Sequence, residues 1–145
     1  MTIEIRNAVK DDIDFIAALE KECFSLPQSH SDLETMVNDS AKTLLVASAN
    51  GKLAGYIGAY TVCRESDIMT VAVAPTFRKE GIGKMLVTAL FEHLCGESDA
   101  VFLEVRQSNS AAIKLYTSLG FENVGVRKNY YKLPTEDALL YKKDL

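Results

Sequence analysis

The segment VAVAPTFRKEGIGKML, which spans Val71 to Leu86, joins an apolar strand to an amphipathic helix through a short glycine loop. Pro75 marks the end of the strand, because proline has no backbone N–H to donate to a neighbouring strand. Apolar residues then recur at helical spacing from Ile82 onward, which predicts a helix that begins near Gly81.

The loop from Arg78 to Lys84 combines two glycines and three basic side chains with this helix N-terminus. Gly81 and Gly83 permit tight backbone conformations and allow a ligand to come close. The free N–H groups and the positive dipole end of a helix start bind anions, so the loop fits a phosphate or pyrophosphate. A plain glycine turn is the alternative, because the pattern is neither Gly-x-Gly-x-x-Gly nor a P-loop ending in Gly-Lys-Ser/Thr.

Length and composition indicate one globular domain that spans residues 1–145. The chain has 145 residues, of which 48% are hydrophobic and 25% charged, as is usual for a water-soluble domain of this size. No apolar run approaches the roughly 20 residues of a membrane helix, and the first residues do not form a signal peptide. We therefore expect a cytoplasmic protein that does not bind membranes.

Charge and cysteine spacing argue against two further classes of protein. The net charge of −4 does not suit a general nucleic-acid binder, so no direct nucleic-acid binding is expected. Cys23, Cys63 and Cys95 are odd in number and far apart, and the two histidines complete no zinc spacing. We expect reduced thiols that fill space in the fold, and no metal.

Hydrophobic periodicity predicts eleven main elements along the chain. Strands are predicted at Ile3–Ile5, Thr43–Ser48, Leu53–Val62, Asp67–Ala74, Ala100–Val105, Phe121–Val126 and Ala138–Tyr141. Helices are predicted from Asp12 to about Phe24, around Leu33–Val37, from about Gly81 to Cys95, and over Asn109–Leu119. This order predicts an α/β (α+β) fold with a mixed sheet and helices on both faces.

Two side chains near the end of the fifth strand could carry acid–base chemistry. Glu104 lies between apolar neighbours where that strand ends, and a carboxylate at the mouth of a cleft can act as a base. Its alternative role is an ion pair with Arg106, two residues on and on the same strand face. Tyr116 shares a helix stripe with Asn109, which suits the wall of a ligand channel. The alternative is a tyrosine at the edge of the core.

The sequence from Leu103 to Phe121 reads LEVRQSNSAAIKLYTSLGF and resembles the ribosomal-protein alanine N-acetyltransferase group of the GNAT superfamily. Arg127-Lys128-Asn129-Tyr130-Tyr131, followed by Glu136 to Leu139, is similar to the tail of that group. Together with the Val71–Lys84 segment, the resemblance extends from about residue 66 to the C-terminus. The first 65 residues match less specifically. The resemblance implies a GNAT-like, mostly antiparallel sheet of about seven strands.

The resemblance also implies roles for individual residues. Glu104 corresponds to the general base and Tyr116 to the general acid of acetyl transfer from acetyl-CoA. Residues that correspond to coenzyme A contacts are Val71, Ala72, Val73, Arg78, Lys79, Glu80, Gly81, Ile82, Gly83, Lys84 and Asn109. No metal is implied.

The sequence departs from the group's pattern in the loop that corresponds to the acceptor site. Phe24, Pro27, Tyr130 and Tyr131 correspond to positions that flank the acceptor peptide. In the group, a Phe and a spacer precede Pro-Trp-Ser, whereas this loop reads FSLPQS over residues 24–29 and the chain has no Trp.

Three functions are compatible with these observations. The first is an acetyltransferase for the N-terminal alanine of a ribosomal protein, which would be its partner. The second is a GNAT acetyltransferase for another protein N-terminus or a small amine. The third is a non-catalytic module that binds coenzyme A, which the Glu104 and Tyr116 pair argues against.

Overall fold

The computed structural model describes residues 2–145, which form one sheet and four α-helices. The strands are β1 (Ile3–Asn7), β2 (Lys42–Ala49), β3 (Lys52–Val62), β4 (Glu65–Val73), β5 (Ala100–Arg106), β6 (Glu122–Tyr131) and β7 (Glu136–Asp144). The helices are α1 (Ile13–Cys23), α2 (His30–Asn38), α3 (Ile82–Leu94) and α4 (Ser110–Ser118). The order of strands and helices along the chain is the predicted one.

The sheet has seven strands in the order β1-β2-β3-β4-β5-β7-β6, and all neighbours are antiparallel except β4 and β5. The parallel pair is short, because its register runs only from Glu65 opposite Ala100 to Asp67 opposite Phe102. Beyond those residues β4 remains paired with β3 only, and β5 remains paired with β7 only. The two central strands therefore separate toward their C-terminal ends and leave an opening in the sheet.

Helices cover both faces of the sheet, as predicted. On one face, α3 and α4 pack on alternate strand residues that include Ile57, Leu103 and Val105. On the other face, α1 and α2 pack around Tyr56 and Ala72. Each strand places successive side chains on opposite faces, so one strand serves both cores. Among residues 2–145, no helix is both long and apolar enough to cross a membrane.

The conformations of the turns and of the helix start agree with the preferences of the residues found there. Asn50 and Gly51 join β2 to β3 with φ of 52° and 82°, the left-handed backbone that a tight hairpin needs. Ser29 begins α2, and its side chain accepts the Asp32 N–H at 3.1 Å. The register of β3 and β4 shifts between Gly58 and Ala59, as is common where a glycine lies inside a strand.

The last two strands are longer than predicted. Strand β7 runs from Glu136 to Asp144 rather than from Ala138 to Tyr141, and β6 extends beyond Val126. Apolar residues stop at Val126, whereas the strand continues to Tyr131, which lies opposite Glu136 of β7. This strand forms the edge of the sheet and most of its side chains are exposed. Its backbone pairing therefore does not require apolar alternation, and the hydrophobic pattern underestimates its length.

Candidate active site

A cavity of about 610 Å³ lies beside the opening between β4 and β5. Its lining comes from four strands that are separated in the sequence. The lining residues are Asp67, Ile68, Met69, Phe102, Leu103, Glu104, Val124, Arg127, Tyr130, Tyr131, Leu140 and Tyr141. Three of the predicted site residues, Glu104, Tyr130 and Tyr131, are thus brought together on one cavity wall.

Glu104 is held on the cavity wall by its place in β5. Its neighbours Leu103 and Val105 belong to the core under α3 and α4, so the Glu104 side chain points to the other face. The Glu104 Oε1 atom lies 3.2 Å from Arg127 Nε, and hydrogen bonding with Glu104 raises the pKa of Tyr130. The carboxylate is thus oriented by two groups from β6.

The alternative ion pair between Glu104 and Arg106 is not present. The Arg106 Nη1 atom instead lies 3.3 Å from Glu136 Oε2, and the guanidinium also donates to the carbonyls of Lys132 and Pro134. It packs 4.5 Å from the centre of the Tyr131 ring. Because the turn before β7 binds the Arg106 guanidinium, Glu104 forms its ion pair with Arg127 instead and lies on the cavity wall.

Tyr131 lies close to both residues that the sequence assigned to acid–base chemistry. The pKa of Tyr131 is raised to about 12, mainly by burial and also by the neighbouring Glu104, Tyr130 and Tyr116, against the opposing charge of Arg106. Tyr130 stands edge-on against Tyr131 with ring centres 5.2 Å apart. This tyrosine pair therefore connects the Glu104 wall to the position of Tyr116.

Tyr116 approaches the opening from the opposite face of the sheet. It is 8% exposed and packs edge-on against Phe121, with ring centres 5.5 Å apart, in the core under α3 and α4. Burial raises the pKa of Tyr116 to about 12, so its hydroxyl stays protonated at neutral pH and can donate a hydrogen bond. Glu104 and Tyr116 thus lie on different sides of β5.

The Arg78–Lys84 loop ends at α3 as predicted. Gly81 precedes the helix with φ of 78°, and the first helical hydrogen bond runs from the Met85 N–H to the Gly81 carbonyl at 3.1 Å. The amides of residues 82–84 therefore have no acceptor within the helix, as at any helix start. A side chain at Gly81 would meet no atom within 4 Å, whereas one at Gly83 would contact Leu115 at 3.5 Å. Gly81 thus faces open space and Gly83 faces the seam toward α4.

Two other predicted coenzyme residues have contacts within the fold. The Arg78 guanidinium donates to the Val73 carbonyl at 3.2 Å and to Cys23 Sγ at 3.4 Å, so it turns back toward β4 and α1. The Asn109 side chain accepts the Ala112 N–H at 3.1 Å and begins α4. The other basic side chains of the loop, Lys79 and Lys84, are exposed.

The acceptor loop, residues 24–29, connects α1 to α2. Phe24 and Pro27 are exposed in this loop, and neither lines the cavity. Their assignment to the acceptor site remains a prediction.

The structure also identifies site residues that the sequence interpretation missed, chiefly Asp67. Its pKa is raised by burial and then by the charges of Glu104 and Glu65, while Arg127 opposes the shift. An acidic residue at the start of an otherwise apolar strand was the available signal. Only the register of β4 against β5 brings Asp67 to the same wall as Glu104.

Comparisons with known proteins agree with this geometry. The model of the Acetyltransferase (GNAT) family matches residues 13–121. The chain is 34% identical over 132 residues to a Haemophilus ducreyi protein named [Ribosomal protein bS18]-alanine N-acetyltransferase, covering 90% of each chain. A Bacillus subtilis relative is 36% identical over 140 residues, which are 94% of this chain and 91% of that protein.

Solved structures share the whole fold. The crystal structure of the Escherichia coli ribosomal-protein-S18-alanine N-acetyltransferase has a TM-score of 0.91 at 28% identity, covering 99% of this chain and 94% of that one. Arabidopsis thaliana NAA60 also reaches a TM-score of 0.91, at 21% identity, which shows the fold alone. The seven-stranded sheet that opens between β4 and β5, the helix that follows the glycine loop and the family match lead to one conclusion: the chain belongs to the GNAT family of acetyltransferases.

Proposed function

We propose that the protein transfers the acetyl group of acetyl-CoA to the N-terminal α-amino group of a protein, with a ribosomal protein that begins with alanine as the leading acceptor. The observation that carries this proposal is the position of Glu104 on the cavity wall beside the opening, oriented by Arg127 and Tyr130. The names of the Haemophilus ducreyi and Escherichia coli relatives support the choice of acceptor.

In this proposal the Arg78–Lys84 loop holds the coenzyme pyrophosphate. The amides of residues 82–84 and the positive dipole end of α3 attract an anion, and Lys79 and Lys84 add charge. The open space at Gly81 leaves room for the phosphates. The backbone of residues 71–73 then holds the pantetheine arm and thioester where β4 leaves β5.

The chemical step needs a base, because an α-amino group has a pKa near 8 and is largely protonated at neutral pH. Glu104, directly or through one water molecule, removes a proton from the ammonium group. The amine nitrogen then forms a bond to the thioester carbon, and a backbone N–H at the end of β4 holds the oxygen. When the intermediate collapses, the C=O bond re-forms, the C–S bond breaks and the sulfur leaves with the electron pair. The nitrogen releases its second surplus proton to solvent, and the thiolate takes up a proton from solvent.

Tyr116 acts on the departing sulfur. Its pKa of about 12 lies well above that of a thiol, near 8.5, so complete proton transfer from the hydroxyl to the thiolate is unfavourable. A hydrogen bond to the developing thiolate is the better description of its part. We therefore assign the larger catalytic effect to Glu104.

A second acceptor class deserves a direct test, because the acceptor loop reads Leu26-Pro27-Gln28 where the ribosomal group has a tryptophan after the proline. An indole at that point would supply a large apolar contact, and Gln28 supplies none. Another protein N-terminus, or a small amine, then becomes the acceptor. In either case the coenzyme loop and Glu104 keep the same roles.

The test compares three acceptors by thiol release with acetyl-CoA: an alanine-starting peptide, the same peptide with a blocked N-terminus and an internal lysine, and a small diamine. The proposal expects acetylation of the free α-amino group, located by mass spectrometry, and loss of activity when that group is blocked. A faster reaction with the diamine would favour the second acceptor class. No thiol release with any amine, despite coenzyme binding, would favour a non-catalytic module.

A further inference from the structure

A buried carboxylate lies beneath the acceptor loop and takes no part in the proposed chemistry. Glu20, in the last turn of α1, is only 2% exposed. Its Oε1 atom accepts the Gln28 N–H at 2.9 Å, and its Oε2 atom accepts hydrogen bonds from the hydroxyls of Thr70, at 3.2 Å, and Tyr56. All three of these donors are uncharged.

This arrangement is a costly way to fill the space. Removing a carboxylate from water is unfavourable unless its oxygens are hydrogen-bonded, and burial raises the pKa of Glu20 against the effect of the Gln28 and Thr70 hydrogen bonds. A well-packed apolar side chain of similar volume commonly stabilises a protein at least as much as a buried charge does. Packing alone therefore does not account for a carboxylate at this position.

The three donors show what Glu20 connects. Gln28 lies in the acceptor loop, Tyr56 lies on β3, and Thr70 lies on β4 directly after Met69, which lines the cavity. Within residues 2–145, the Gln28 N–H bond to Glu20 is the one hydrogen bond that holds the loop between Ser25 and Gln28. Glu20 thus fixes the middle of an exposed loop to the strand that forms the cavity wall.

We infer that Glu20 is a positioning residue for the acceptor site, which holds the 24–29 loop in register with β4 so that acceptor peptides meet a preformed entrance. The inference rests on the proposed function and on the expected position of the acceptor peptide beside this loop. Glu20 itself touches neither acceptor nor coenzyme. A displacement of about 1 Å in a positioning element can cost a large factor in rate or affinity, so a single tie can matter.

The other end of α1 offers a matched control. Asp12 is also buried, at 4% exposure, and accepts the Val9 N–H at 2.8 Å. It pairs with Arg6 of β1 at 2.8 Å and makes no contact with the acceptor loop. A carboxylate-to-amide change at Asp12 therefore tests the loss of a buried carboxylate near α1 without releasing the loop.

The experiment compares Glu20→Gln with Asp12→Asn. In Glu20→Gln, one carboxylate oxygen is replaced by an amide nitrogen that faces hydrogen-bond donors. We expect faster hydrogen exchange over residues 24–29 and a rise of about tenfold in the acceptor KM, while the acetyl-CoA Kd stays within about twofold. Asp12→Asn should lower the thermal midpoint but leave loop exchange and the acceptor KM near their wild-type values.

Equal changes in the acceptor KM for both variants would overturn the inference, as would unchanged exchange in the loop of Glu20→Gln. If Glu20→Gln does not fold, Gln28→Pro removes the donor N–H together with the glutamine side chain and fixes the local φ, whereas Gln28→Ala removes the side chain but keeps the N–H. The inference then requires the KM rise and faster loop exchange in the proline variant alone. Failure of the proposed function gives a different result. The wild type would then not acetylate the peptide, whereas hydrogen exchange over residues 24–29 would still be faster in Glu20→Gln than in the wild type.

Discussion

The coenzyme side of the opening and its acceptor side differ in how the chain builds them. The proposed coenzyme side consists of residues 71–84, one continuous segment that contains the strand end, the glycine loop and the start of α3. The acceptor side is formed by Asp67 of β4, Glu104 of β5 and Arg127 of β6, with the two tyrosines that follow Arg127. A local motif is readable in the sequence, whereas a wall assembled from separate strands requires the register of the sheet.

The two sides also differ in charge, and the difference suits their proposed ligands. The coenzyme side presents Lys79 and Lys84 at a helix N-terminus, where an anionic pyrophosphate would lie. The acceptor side presents two carboxylates, Asp67 and Glu104, of which Glu104 is balanced by Arg127. An acceptor amine arrives as a cation, so the charge of each side complements that of its proposed ligand.

The largest expected effect separates chemistry from coenzyme binding. Glu104→Gln keeps the shape of the side chain but removes the proton acceptor, so kcat should fall by about 10²–10⁴-fold. The acetyl-CoA Kd, measured by calorimetry, should stay near the wild-type value because Glu104 lies on the acceptor side. The remaining rate should rise with pH as more of the amine loses its proton without help.

The control for this change is Glu122→Gln, which removes an exposed carboxylate at the start of β6. It should leave kcat unchanged. Near-wild-type kcat for Glu104→Gln at pH 7, with a verified amine acceptor, would remove Glu104 from the chemistry.

A smaller effect on kcat is expected from the side chain on the other face of the sheet. Tyr116→Phe removes a hydrogen bond to a leaving thiolate that departs fairly easily, so we expect a fall of about tenfold. Because burial raises the pKa of Tyr116 to about 12, the hydroxyl keeps its proton up to that pH and would lose it only above. The ratio of wild-type to variant kcat should thus stay constant from pH 6 to 9, with exposed Tyr60→Phe as the control.

The coenzyme side can be tested with two glycines that have the same backbone. Gly81 and Gly51 have φ of 78° and 82°, and an added side chain would meet no atom within 4 Å at either position. Alanine at a left-handed position costs about 1–2 kcal/mol, so both Gly81→Ala and Gly51→Ala should lower the thermal midpoint. Only Gly81→Ala should raise the acetyl-CoA Kd, by about fivefold to tenfold. An equal Kd for the two variants would remove the loop from the coenzyme site.

The fold was predictable wherever the signal was local. The strand, loop and helix over residues 71–86, the Asn50–Gly51 hairpin and the order of all elements follow from periodicity and turn residues. The C-terminal end of β6 was not predictable, because an edge strand with exposed side chains has no apolar alternation. The ion-pair partner of Glu104 was also not predictable. The choice between Arg106 and Arg127 depends on the turn before β7, which binds Arg106.

The candidate site shows the same limit. Glu104 and Tyr116 could be identified by resemblance to the GNAT superfamily, but their approach from opposite faces of the sheet depends on the separation of β4 from β5. Asp67 belongs to no motif, and it reaches the cavity only through its pairing opposite Phe102. Cross-strand positions of this kind have no signature in the sequence.

The smallest expected effect concerns this unrecognised carboxylate. Asp67→Asn removes one negative charge from the acceptor side, so the kcat/KM for a cationic peptide acceptor should fall by about threefold at low salt. Charge attraction is screened within about 3 Å at 1 M salt, so the difference from wild type should vanish there. Glu65→Gln makes the same charge change two residues earlier on β4, outside the cavity lining, and should have less effect. A loss that persists at 1 M salt would show that Asp67 acts through a direct contact with the acceptor, and an equal loss for Glu65→Gln would reduce it to part of the general surface charge.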